Sequence, residues 1–158
     1  MHRKLLAWFT IALCLFSSMP AGAASFTKAH AGIKYGGVVY RIGDTNTKWK
    51  SKLGKYARKL NETNGNLASY TYTFKGRGVR VTTLYSRKLR KEKITSFLVW
   101  GPKVAAAGGL KVGYGFTKMT GAIGKKYTKK NGVYTYQAGS RKLQVKSSGG
   151  KIKLIKIS

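Results

Sequence analysis

The chain has 158 residues, with 32 lysines and arginines against three acids, a formal net charge of +29. Such a surface is drawn to polyanions at long range, and three carboxylates leave little with which to do acid–base, glycosidase or carboxylate–metal chemistry. Apolar residues at 42% and aromatics at 12% are enough for a packed core and argue against general disorder.

Met1-His2-Arg3-Lys4 is a short positive region, followed by the apolar run Leu5 to Phe16 and by Ala21-Gly22-Ala23, a small-x-small pattern. This reads as a secretory signal peptide over 1–23, cleaved after Ala23, because the run is too short to span a membrane. A lipoprotein signal with lipid on Cys14 is the alternative, and Leu13 stands where it needs a small residue. Removing 1–23 takes Arg3, Lys4 and Cys14 and leaves 30 basic residues, 3 acidic ones and no cysteine. Disulfides and thiolate metal sites are then excluded. Residues 24–32 read as a flexible amino end.

Two stretches of the remainder look alike, one over 33–101 and one over 102–158. Each is expected to run strand, helix, then three strands. In the first, Val39 to Ile42 enters as a strand, and Asp44, Thr45 and Thr47 stand where a helix cap belongs. Trp49, Leu53, Tyr56, Ala57 and Leu60 recur at helical spacing, and Asn64-Gly65-Asn66 ends that region. Tyr70, Tyr72 and Phe74 alternate with Ser69, Thr71 and Thr73 as a strand, and Val79, Val81, Thr83 and Tyr85 form the next after the turn Gly76-Arg77-Gly78. Arg87, Lys88, Arg90 and Lys91 make a solvated loop before a closing strand from Lys93 to Trp100.

The second stretch enters over Lys103 to Val112, places Phe116, Met119, Ile123 and Tyr127 on one helical face, and finishes with strands at 133–137, 142–146 and 151–157. Gly43, Lys48 and Gly54 match Gly113, Lys118 and Gly124 at an offset of 70. Tyr70-Thr71-Tyr72 matches Tyr134-Thr135-Tyr136 at 64, and Lys93-Ile94 matches Lys151-Ile152 at 58. The same blocks in the same order, with shrinking loops, predict a tandem repeat. The fold class is therefore α+β: two tandem copies of a helix packed on an antiparallel sheet, with the sheets side by side.

The pattern Ile42-Gly43-Asp44-Thr45, Leu53-Gly54-Lys55, Tyr70-x-Tyr72, Gly109-Leu110-Lys111-Val112-Gly113, Tyr134-x-Tyr136 and Lys151-Ile152 resembles small secreted bacterial proteins with repeats of the beta-lactamase-inhibitor-protein type. It is similar, more distantly, to the assembly lipoprotein BamE. The resemblance covers about residues 33–158. It implies a helical element on an antiparallel sheet in each copy, and a sheet face that can serve as a protein-binding surface. The chain departs from the inhibitor by its charge and by lacking the stapling cysteines, and fold alone transfers no function.

Catalytic candidates are few. His30 lies near the amino end, Asp44 stands at an expected helix cap, Glu62 and Glu92 read as local charge partners, and no metal-ligand cluster or cofactor motif occurs. The chain is expected to be a non-enzyme without metal or cofactor. Lys48, Lys52, Lys55 and Lys59 fall at i, i+4, i+7 and i+11, and Lys118 and Lys125 repeat part of the row. Each alone is a solvated helix lysine. Together, with almost no glutamate between them, they point to polyanion binding. Tyr70, Tyr72, Tyr134 and Tyr136 either face the helices as core or face outward as a binding platform.

The leading expectation is a secreted or envelope-located binding module that adheres mainly by electrostatics. Its partners would be an acidic cell-envelope polymer, an acidic protein or an anionic membrane surface. Nucleic acid enters only as extracellular DNA held without sequence preference, and no small-molecule substrate is expected. The alternatives are a protein-binding inhibitor using the aromatic sheet face and a cationic membrane-active protein.

Overall fold

Polar–apolar alternation dominates the second half of each stretch, and the computed structural model, which describes residues 25–158, turns it into antiparallel sheet. The expected signal peptide lies outside the described residues. The elements are β1 (Gly32–Tyr35), β2 (Val38–Arg41), α1 (Trp49–Leu53), β3 (Ala57–Asn64), β4 (Leu67–Phe74), β5 (Val79–Ser86), β6 (Lys91–Val99), β7 (Ala105–Ala106), α2 (Phe116–Ile123), β8 (Thr128–Lys130), β9 (Val133–Ala138), β10 (Arg141–Ser148) and β11 (Lys151–Ile157). The protein is α+β, with two α-helices among the described residues.

One eight-stranded sheet runs in the order β3-β4-β5-β6-β11-β10-β9-β8. It is two meanders joined through their last strands, where Phe97, Leu98 and Val99 pair with Ile157, Lys156 and Ile155. The sheets expected side by side are thus hydrogen-bonded into one. A small second sheet, β2-β1-β7, joins the two entering segments through Ile33↔Ala106 and Lys34↔Ala105.

One face of the large sheet is dry. Tyr72, Phe74, Val79, Val81, Ile94, Phe97 and Val99 from one meander are buried together with Tyr136, Leu143, Val145, Ile152, Ile155 and Ile157 from the other. Ile33, Tyr40, Trp49, Leu53, Leu110, Met119 and Ile123 from the small sheet and the helical segments complete this core. Residues 25–32, expected to be flexible, carry Phe26 into it, with its ring 6.5 Å from Tyr136.

The same backbone joints recur in both halves. Gly43 N–H donates to Ile94 O at 2.8 Å, and Ile94 N–H donates to Asp44 O at 3.0 Å. Gly113 N–H donates to Ile152 O at 2.8 Å, and Ile152 N–H donates to Tyr114 O at 2.9 Å.

The expected helix from Trp49 to Leu60 is corrected. It stops at Leu53, where Gly54 takes φ 91°, a conformation that suits glycine and turns the chain out of the helix. The residues that follow form edge strand β3, all eight of them exposed. Continuing the helix would have stacked Lys48, Lys52, Lys55 and Lys59 on one face with no acid between them, and like charges at that spacing repel. As a strand, the segment instead satisfies the outer backbone groups of β4. The long entering strand expected over 103–112 reduces to β7, and β8 was not foreseen.

Candidate functional site

Side chains alternate across a strand, so the burial of Tyr72, Val81, Phe97, Ile157, Leu143 and Tyr136 fixes what points the other way. The pairing register lays out one row across the whole sheet on that second face: Ala57, Thr73, Arg80, Leu98, Lys156, Gln144, Thr135 and Thr128. An adjoining row contributes Lys59, Thr71, Thr82 and Ser96, and Lys142 and Gln137 continue that side in the other half. None of these residues is buried. The open face is therefore a mixture of hydroxyls and amides with Leu67, Leu84 and Val133, set with Lys59, Arg80, Lys93, Lys142, Lys146 and Lys156. At its seam Leu98, Trp100 and Leu154 are half-buried. Glu62, paired with Ser69 near the outer edge, is the one acid on it among the described residues.

The other two acids are engaged elsewhere. Asp44 accepts the Arg41 N–H at 2.7 Å and closes a turn. It does not cap α1, which starts at Trp49 with Lys48 at the cap position and no side-chain cap bond. Glu92 lies on β6 and faces the core side. Its Oε2 accepts Lys50 Nζ at 2.6 Å, and its Oε1 accepts Tyr72 O–H at 2.8 Å and Thr83 O–H. Burial alone would raise this carboxyl, but the hydrogen bonds from Lys50, Thr83 and Tyr72 outweigh it and hold the group below the usual carboxylate range. Lys50 is pushed up in turn: its burial acts downward, and its bonds to Glu92 and Tyr72 overcome it. Lys50–Glu92 is the one ion pair among the described residues.

The lysines named from sequence are all exposed but do not form one row. Lys48 stands at the cap position before α1, Lys52 lies on α1, Lys55 in the turn after it, and Lys59 on β3 at the open face. Lys118 lies on α2 with its ammonium 4.8 Å from the Tyr114 ring, and Lys125 follows that helix. The tyrosines face the helix side, so they form no outward platform. Tyr72 and Tyr136 are buried, and Tyr136 O–H donates to Gly124 O at 3.2 Å. Tyr134 is buried beneath Phe116 and Tyr127. Tyr70 is half-covered, with the Arg58 guanidinium 3.9 Å from its ring centre. Burial pushes Tyr136 up to about 12, with neighbouring Tyr127 and Tyr134 adding to the effect.

His30 is hydrogen-bonded to Thr27 within the amino-terminal turn, and the cavity that it lines has no acid in its wall. Among the described residues no three His, Cys, Asp or Glu side chains gather as a metal-binding group, and no helix is long and apolar enough to cross a membrane. The cations of the open face were legible as the polar members of alternating strands, Lys142-x-Gln144-x-Lys146 above all. The helical spacing of Lys48, Lys52, Lys55 and Lys59 does not correspond to one helix face, because the chain leaves the helix at Gly54. No family model, curated protein or solved structure matches this chain.

Proposed function

We propose that the protein is a non-catalytic, exported binding module that holds an acidic polymer of the cell envelope on its open sheet face, mainly by electrostatics. The observation that carries this is the distribution of charge. Arg80, Lys93, Lys142, Lys146 and Lys156 stand on one continuous face, whereas the one ion pair lies on the other side of the sheet. Cations without acidic partners keep their full field available to a polyanion. Hydroxyls and amides between them suit a hydrated, hydroxyl-bearing chain.

On the same reading residues 1–23 are a secretion signal, and the remainder is a duplicated unit of the beta-lactamase-inhibitor type, 33–101 and 102–158. The mirrored strand order and the paired joints at Gly43–Ile94 and Gly113–Ile152 support the duplication. The test is retention of the protein on isolated anionic envelope polymer under a salt gradient. Release well below 0.5 M salt supports the reading, and retention unchanged through that range would sink it.

A second reading has one observation in its favour. Trp100, Leu98 and Leu154 form a small apolar centre ringed by cations, the arrangement of a protein-binding hot spot. An acidic protein docked there would leave a stoichiometric complex that survives moderate salt and is lost in Trp100→Ala.

A further inference from the structure

Beside the open face, at the corner where α1 hands over to β3, lies a cleft of about 600 Å³, inside the ~300–1,000 Å³ range of ligand sites. Its wall carries Lys55, Lys75 and Arg77, and Tyr56, Thr73 and Gly54 stand between them. None of the three cations has a carboxylate within ion-pair distance among the described residues.

The cleft is held rigid from behind. The Tyr56 ring is 42% exposed, and it packs 5.3 Å from both Tyr72 and Phe74, which are core residues. Arg77 is steadied by the Tyr35 ring, 5.2 Å from its guanidinium carbon. The turn bearing Lys75 and Arg77 is clamped at Gly78. That residue's N–H donates to Phe74 O and Lys75 O, and its carbonyl accepts Trp100 N–H at 2.8 Å and Gly101 N–H at 2.9 Å. The backbone of the turn and the Arg77 guanidinium are thus pre-organised, so less ordering is needed when a ligand arrives.

In the other half of the sheet Gly124, Lys125, Tyr127 and Thr128 occupy the matching corner, and the hairpin turn there is Gly139-Ser140, with the Lys28 stem and ammonium against Gly139. Lys75 and Arg77 have no counterpart within that turn.

We propose that this cleft binds the phosphate ester of a small polyol or sugar: one unit, or the end, of the polymer whose length lies on the open face. Arg77 offers a planar fork of donors that matches phosphate oxygens, and Lys55 and Lys75 add point charges. The volume exceeds what a bare ion fills. The Tyr56 ring and hydroxyl and the Thr73 hydroxyl are the groups that grip a carbon–hydroxyl backbone. The site rests on the polyanion reading and gives it a chemical identity.

The experiment is a titration of the full-length protein with glycerol 3-phosphate, followed by amide resonances, with glycerol and inorganic phosphate as separate arms. Glycerol 3-phosphate is expected to give saturable shifts at Gly54, Tyr56 and Thr73, tighter than inorganic phosphate, and glycerol none. Lys75→Gln and Arg77→Gln should each weaken this binding by about tenfold or more, and Lys118→Gln should leave it alone. Shifts that never saturate, or that spread over all lysines alike, overturn the site. Retention on a glycerol phosphate polymer and on phosphatidylglycerol vesicles separates the sources. Loss of polymer retention alone in the cleft variants supports the proposal, and loss of vesicle retention alone overturns it in favour of a lipid headgroup. Failure of the open-face reading is distinct: a Lys142→Gln/Lys146→Gln/Lys156→Gln variant would then keep polymer retention whatever the cleft does.

Discussion

Glu92 shows how a single carboxylate in a chain of cations becomes structural. Its side chain is 11% exposed, and Lys50, Tyr72 and Thr83 all point at it from different elements. Removing it by Glu92→Ala strands three polar groups at once, which should cost about 2–3 kcal/mol, since each orphaned partner carries a desolvation penalty. Chemical denaturation at neutral pH measures this, and a loss below 0.5 kcal/mol would show that Lys50 and Tyr72 find water freely. The pH dependence follows from the depressed carboxyl. Its stabilisation is present above the ordinary glutamate value of ~4.3 and is lost as pH falls through the lower folded value. The wild type should therefore lose stability on acidification more steeply than Glu92→Gln. At the alkaline end Tyr136 acts in the opposite sense. Its folded value near 12 against 10.0 means stability that is intact below pH 10 and disappears between 10 and about 12. Tyr136→Phe should move alkaline unfolding to higher pH. An unchanged alkaline midpoint in that variant would refute the assignment. Nothing in the sequence pointed to this cluster, because Lys50 and Glu92 are 42 positions apart and meet only once β6 lies under α1.

At the scale of elements, what the sequence revealed depended on burial. β4, β5, β9, β10 and β11 were legible because each has one dry side, so that apolar residues fall on alternate positions. α2 was legible because Met119 and Ile123 are buried and Phe116 packs on Tyr127. β3 was not, because an edge strand that buries nothing writes no pattern, and Tyr56 and Leu60 happened to continue the period of Trp49 and Leu53. Leu60 is in fact 51% exposed. Both free edges of the large sheet, β3 and β8, carry cations at Arg58, Lys59, Lys129 and Lys130, which discourages pairing with another copy. The glycines that end α1 and close the next turn invite a comparison. Gly54 and Gly78 both have positive φ, but a Cβ on Gly54 meets nothing, whereas one on Gly78 would collide with the Gly101 backbone. Gly54→Ala should cost roughly 1 kcal/mol from backbone strain alone. Gly78→Ala should cost clearly more, because β5 and the residues after β6 must part. Thermal melts of the two variants decide it, and equal losses would mean that the turn can shift as a body.

For the molecule as a whole, one quantity sets both its stability and its proposed binding. Thirty cations on residues 24–158 repel one another through the fold, and the same cations attract a polyanion. Salt screens both effects, with a Debye length of about 30 Å at 0.01 M and about 8 Å at 0.15 M. The two responses should therefore run in opposite directions. Raising salt over that interval should raise the melting temperature of the free protein, because self-repulsion weakens. It should lower affinity for an acidic polymer, because each counterion released into saltier solution gains less entropy. The open-face variant Lys142→Gln/Lys146→Gln/Lys156→Gln separates the two. Losing three charges relieves repulsion slightly, so its melting temperature should equal or exceed that of the wild type. If each lysine meets one phosphate, the slope of log affinity against log salt should fall by roughly 2–3, at about 0.7–0.9 per contact. A variant at surface positions off the open face, Lys48→Gln/Lys52→Gln/Lys118→Gln, removes the same charge and should leave most of that slope in place. If both triple variants lose the same slope, the polymer reads net charge alone and the sheet face has no part in orienting it.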